Sequence, residues 1–242
     1  MILANVRASL SRNDAQLVLQ LVGRRSRLDL EAAEASLRDE GIDGLLDDPR
    51  LLAALMEAQL GAQASLPLFC YVVVRNALKK VGEHDRVLAD YTSAILLHFG
   101  LRDRATRIGT ADDERYDTLA ALVDSLDGPD AQRNFLVRVH LGNYALWVSG
   151  IFPDLIEHRR WRRGGPDLDY YEELGRLGFQ LAADHRLAQE HGLATLYHEA
   201  AQRFAAMRLA LNAVSDSLFF PNNHSPDRLM RQVRDEGRWR VS

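Results

Sequence analysis

Cysteine occurs once in this chain, at Cys70, inside the apolar run Leu66 to Val74. A single thiol cannot close an intrachain disulfide, so packing must supply the stability and a reducing compartment is the natural setting. Cys70 itself reads as a small buried hydrophobe rather than a nucleophile. Lysine is nearly missing: of 30 basic residues only Lys79 and Lys80 are not arginine. Such a bias is the habit of GC-rich genomes and points to a bacterial source. No stretch approaches the roughly 20 apolar residues that span a bilayer; the longest, Leu66 to Val74, stops at Arg75. The first twenty residues interleave Arg7, Arg12, Asn13 and Asp14 with apolar ones, which does not make a signal peptide. A cytoplasmic protein with no membrane partner is expected. The net charge of −4 is also unlike a dedicated polyanion binder.

The common catalytic signatures are missing as well. The chain has no GxxxxGK[ST] loop, no GxGxxG, no GxSxG elbow and no CxxC pair. Metal sites in helical bundles use Glu-x-x-His pairs on facing helices, and no such pair is present. His198-Glu199-Ala200-Ala201-Gln202 approaches a zincin string, but glutamine replaces its second histidine. Asp154 and His158 stand one turn apart, and two ligands do not make a site. Neither a metal nor a cofactor is expected.

What is present is helix after helix, clearly punctuated. Asp48-Pro49 caps and starts a run at Leu51. Ser65 and Pro67 open another that stops at Gly82, and a third runs from about Asp85 to Phe99 before Gly100. A helix carrying Tyr116, Leu119 and Val123 follows the polar link Gly109 to Glu114. Asp127-Gly128-Pro129 then precedes a long apolar helix reaching Gly150. Two more long helices are expected over Leu168 to His191 and Leu193 to Phe219, with a short one after Ser225-Pro226. No segment alternates with period two. The spacing predicts an all-α bundle of nine or ten helices with antiparallel neighbours and no sheet. It forms one domain over 1–242, with a weak boundary near 109–114.

Two sets of residues carry candidate chemistry. In the first, Arg133-Asn134 precedes His140 by a spacing that resembles the Arg-x4–6-His motif of helical HEPN ribonucleases. The resemblance implies His140 as general acid/base and Arg133 on the scissile phosphate, with Asn143 close by. It covers only these residues, and Arg186 with His191 repeats the spacing as chance allows in so arginine-rich a chain. A core histidine at a helix contact is the plainer reading.

The second set lies in Leu141 to Gly175, where Gly150 and Pro153 break the chain after Asn143, Tyr144 and Trp147. Arg159, Arg160, Trp161, Arg162 and Arg163 follow, then Gly164-Gly165-Pro166, then Tyr170 and Tyr171 among Asp167, Asp169, Glu172 and Glu173. Arginines around an aromatic grip phosphates or anchor a protein partner. The plainer alternative pairs the four arginines with the four carboxylates across the turn. Near the C-terminus, Leu229, Met230 and Val233 should dock on the body, leaving Arg228, Arg231 and Arg234 in solvent or at an interface ahead of Arg238-Trp239-Arg240.

The expectation is therefore a non-enzymatic binding protein that uses the Arg/Trp patch, with Tyr170 and Tyr171 beside it. A protein partner is favoured over a nucleic-acid backbone, and a homodimer is open. The rival is an enzyme, HEPN-like or otherwise, with a polar site around His140. A small-molecule pocket at the aromatic corner is the third possibility.

Overall fold

The computed structural model describes residues 1–57, 59–100, 104–108, 115–126, 128 and 130–239, the side chains of 59–60 and 236–239 excepted. Among the described residues there are fourteen α-helices and no strand. In chain order they are α1 (Arg12–Gly23), α2 (Arg27–Glu40), α3 (Ile42–Leu46), α4 (Leu51–Glu57), α5 (Leu66–Lys80), α6 (Arg86–Gly100) and α7 (Leu119–Asp124). Then come α8 (Ala131–Ile151), α9 (Pro153–Arg163), α10 (Leu168–Ala183), α11 (Arg186–Glu190), α12 (Ala194–Gln202), α13 (Phe204–Val214) and α14 (Pro226–Trp239). A π-helical turn, Ser215–Phe219, extends α13.

The all-α class is as the spacing predicts, and the helix count is higher than nine or ten. Part of the excess comes from a helix expected to be continuous. His185 Nδ1 accepts the Leu187 amide at 3.2 Å, which caps a new helix and cuts the expected Leu168–His191 element into α10 and α11. The helix expected around Tyr116 begins later, at Leu119. Thr118 caps it through the Ala121 amide, and Tyr116 is buried in the lead-in. The expected boundary at 109–114 lies outside the described residues.

Local signals explain the longer helices. Ser65 accepts from the Leu68 amide with Pro67 in the first turn of α5, and Gly82 at φ 79° allows the turn beyond its end. Asp85 Oδ1 takes the first amides of α6, and Asp130 those of α8. Val72, Val73 and Val74 are all buried, so α5 is covered on several sides by α4, α6 and α13, and tertiary packing overrides their weak helix preference.

α8 is the central helix, packed by α6, α7, α9, α10, α11 and α13. Its buried residues, from Phe135 to Ile151, lie on every side. α10 comes especially close: a Cβ on Gly178 would lie 2.7 Å from the Gly142 amide nitrogen. Tyr91, Phe179, Tyr197 and Phe204 fill the space around this contact, with ring centroids about 6 Å apart. Each such side chain contributes roughly 1.5–3 kcal/mol by burial. One continuous apolar cluster runs from Ile2 to Val214. Among the described residues no helix is long and apolar enough to cross a membrane.

Candidate binding cleft

α8 ends at Ile151, Phe152 leaves helical geometry at φ −122°, ψ 43°, and Pro153 starts α9 at a new angle. α9 closes on Gly164 in the left-handed region (φ 65°), whose amide donates to Arg160 O at 3.0 Å. Asp167 then caps α10 by accepting the Tyr170 amide at 3.0 Å. This break, turn and cap set α9 and α10 on two sides of a cleft of about 460 Å³, with Asp117 to Ala120 as a third wall.

Arg159 and Arg163, one turn apart on α9, line that cleft with Tyr144 from α8 and Tyr170 and Tyr171 from α10, over Val148 and Ile156. Among the described residues neither arginine has a carboxylate within ion-pair distance. Tyr144 donates its hydroxyl to Asp117 O at 3.1 Å. Burial pushes the Tyr144 and Tyr171 hydroxyls above the ordinary tyrosine value, with the Arg159 charge pulling the other way. Both therefore stay protonated at neutral pH. The outcome is a cleft with two arginines, three tyrosines and an apolar floor, which Asp117 also lines, its charge felt at the Tyr144 hydroxyl.

The rest of the expected patch faces elsewhere. Arg160 lies 5.7 Å from the Trp161 ring centroid and 3.9 Å from both Glu157 and Asp167. Trp161 is 74% exposed and Arg162 is exposed. Among the described residues, Arg160 with Asp167 is the one pair between these arginines and the carboxylates that follow them. Asp167 serves as a helix cap, and Glu172 takes Arg176 and Arg208, each at 3.2 Å. Three of the four arginines are left to point outward or into the cleft.

The residues of the ribonuclease reading lie behind this wall. His140 is 5% exposed and packs against the Phe99 and Tyr144 rings. The cavity beside it and Asn143 is about 20 Å³, room for a single water. Asn143 accepts the Tyr91 hydroxyl at 2.6 Å, and Arg133 donates to Tyr116 at 3.1 Å. His140 and Asn143 are thus buried among the described residues, and Arg133 is half-buried.

The C-terminal helix reverses its expected orientation. Arg228 and Arg231 are 4% and 3% exposed, whereas Met230 and Val233 are 73% and 69% exposed. The reason is a set of acceptors on the body. Arg228 meets Asp154 at 2.9 Å and Phe220 O at 2.7 Å, and Arg231 meets Asp216 at 2.8 Å and Asp154 at 3.3 Å. Arg234 reaches Glu157 at 3.2 Å, and the buried Arg208 bonds Asn212 at 2.8 Å and approaches Asp235 at 3.4 Å. Asp154 is thus an ion-pair acceptor, and His158 lines a separate apolar cavity of about 490 Å³. His198 pairs with Gln202 on the surface of α12. Among the described residues no three His, Cys, Asp or Glu side chains are grouped to hold a metal. The side chains of Arg238, Trp239 and Arg240 lie outside the described residues.

Sequence reasoning named the cleft residues of α9 and α10 and missed its third wall. Asp117 and Thr118 follow a polar link and carry no motif of their own. The fold and cleft together describe an all-α protein with a small cleft lined by arginine and tyrosine. Comparison with protein-family models, curated proteins and solved structures finds no match to this chain.

Proposed function

We propose that this chain is a non-enzymatic helical binding protein, acting in the cytoplasm, that holds an anionic group of a protein partner in the cleft between α9 and α10. One observation carries the reading: Arg159 and Arg163 line a tyrosine-walled cleft and have no carboxylate partner among the described residues. Guanidinium forks match carboxylate and phosphate oxygens, and paired tyrosines add an amphipathic wall. Trp161, exposed between Arg160 and Arg162 on the outer side of α9, offers an aromatic anchor for the partner's surface. The net charge of −4 disfavours long-range attraction to a nucleic acid. His140, the acid/base candidate of the ribonuclease reading, is 5% exposed and packs against the Phe99 and Tyr144 rings.

The test is anisotropy of a labelled Glu/Asp-rich peptide and of labelled single-stranded RNA, titrated with the chain across salt. Peptide binding that weakens with salt and disappears in Arg159→Ala/Arg163→Ala is the expected result. Unchanged binding in that double variant contradicts the reading. Preference for the RNA would move the partner to nucleic acid.

A second reading, self-association, draws on the outward row Leu229, Met230 and Val233 of α14, since exposed apolar rows of this kind mark interfaces. Sedimentation of the wild type against Met230→Glu decides it. A monomer at every concentration removes the dimer.

A further inference from the structure

Resting on that reading of the cleft, we propose that the group it holds is a phosphate monoester carried on a compact ring-bearing body. Three features of the cleft support this choice. The first is charge. Arg159 and Arg163 sit at i and i+4 on one face of α9, so their side chains start about 5–6 Å apart and address one small volume. A single carboxylate neutralises one guanidinium and leaves the other uncompensated. A phosphate monoester carries about −1.5 to −2 at neutral pH and presents three acceptor oxygens, enough for two forks at once.

The second feature is shape. The cleft, at about 460 Å³, is of the size that encloses small organic ligands. Its walls are the Tyr170 and Tyr171 rings and its floor is Val148 and Ile156, so inorganic phosphate would leave most of it unfilled. A flat ring attached to the phosphate covers that surface.

The third is polarity. Asp117 lines the cleft beside Tyr144, whose hydroxyl feels its charge, and a carboxylate there repels an anion and accepts from a hydroxyl or amine. The ligand is thereby oriented, phosphate toward α9 and a donor-bearing end toward Asp117. Phosphotyrosine and a nucleoside 5′-monophosphate share this chemistry and are its two sources. No bond is made or broken.

The experiment is calorimetry on the full chain with phenyl phosphate, a phosphotyrosine peptide, adenosine 5′-monophosphate, benzoate and a single-stranded oligonucleotide lacking a terminal phosphate. Each is measured from pH 5 to 7.5. The protein groups facing the ligand are Asp117, Tyr144, Arg159, Arg163, Tyr170 and Tyr171, and benzoate reports any contribution from them. Monoester affinity should rise as the second phosphate proton leaves near about pH 6, while benzoate affinity does not follow it. Arg159→Ala and Arg163→Ala should each weaken the monoester by about ten- to a hundredfold, the worth of a charged hydrogen bond. Arg159→Lys, which keeps the charge and loses the fork, should recover only part of the loss.

Tighter binding of the peptide identifies a phosphorylated protein partner, and tighter binding of the nucleotide keeps the monoester but replaces the protein partner with a small metabolite. Both outcomes support the proposal. Benzoate binding as well as phenyl phosphate, with no rise near pH 6, overturns the monoester and leaves the anion cleft standing. The unphosphorylated oligonucleotide binding best also overturns it, in favour of a diester backbone. Failure of every anion, the acidic peptide above included, overturns the cleft reading itself.

Discussion

α9 and α14 are both short arginine-rich helices that pack on each other, and they use arginine in opposite ways. On α14, Arg228 and Arg231 are almost fully buried, and each is met by carboxylates of Asp154 and Asp216. On α9, Arg159 and Arg163 are exposed beside a cleft, with no such partner among the described residues. The difference lies in the complement supplied by the rest of the chain rather than in the helices' composition. An arginine already matched by an internal acid holds the structure together. An unmatched one is available for something outside it. Arg75 on α5 belongs to the first kind: it is 4% exposed and bonds Asp47 at 2.6 Å.

Breaking the matched set should give the largest effect. Asp154→Ala leaves Arg228 and Arg231 buried with one acceptor fewer, and should cost about 3–5 kcal/mol in urea unfolding. A loss under about 0.5 kcal/mol would mean that α14 is not seated as described.

Asp47 gives a smaller effect with a defined pH window. Burial raises its pKa, but hydrogen bonds from Arg75 and Arg86 outweigh that and hold it down at about 2. Because the folded value is depressed, its stabilisation is complete above the unfolded value near 4. It is then lost as pH falls from about 4 toward 2. Asp47→Asn should remove on the order of 2 kcal/mol at neutral pH and flatten the acid limb between those values. An unchanged acid limb would assign the transition to other carboxylates.

The unmatched set behaves differently. Arg159→Ala/Arg163→Ala should shift stability by no more than about 0.5 kcal/mol while reducing anion affinity at least about tenfold. Thermal unfolding measured beside the binding titration separates the two. Smallest of all, Met230→Glu on the outer face of α14 should leave monomer stability within about 0.5 kcal/mol. A large loss would show that the apolar row faces the body, as the amphipathic pattern alone suggested.

Much of the fold was legible because its signals are local. Ser65 with Pro67, Asp85, Asp130 and Asp167 are caps that act within three residues, and the spacing of apolar residues supplies the helices between them. The cleft was partly legible for the same reason, since Arg159 to Tyr171 form one continuous segment across a Gly-Gly-Pro turn. What escaped depends on distant partners. The orientation of α14 is set by Asp154, more than seventy residues from Arg228, and by Asp216, and no periodicity in α14 encodes them. Asp117 is held at the cleft by Tyr144 of α8, which bonds its carbonyl, and by the buried Tyr116 before it, partners that no local pattern names. His140 has a motif spacing, yet the rings of Phe99 and Tyr144 decide its surroundings, and the spacing is blind to them.

The most direct measurement is the arginine Nε–Hε spectrum of the labelled chain, recorded while phenyl phosphate is added. The contrast between the two helices predicts that the Arg159 and Arg163 signals move together and saturate, while those of Arg228 and Arg231 stay fixed. Uniform, unsaturable drift of every exposed arginine, Arg162 included, or no movement at all, would contradict it.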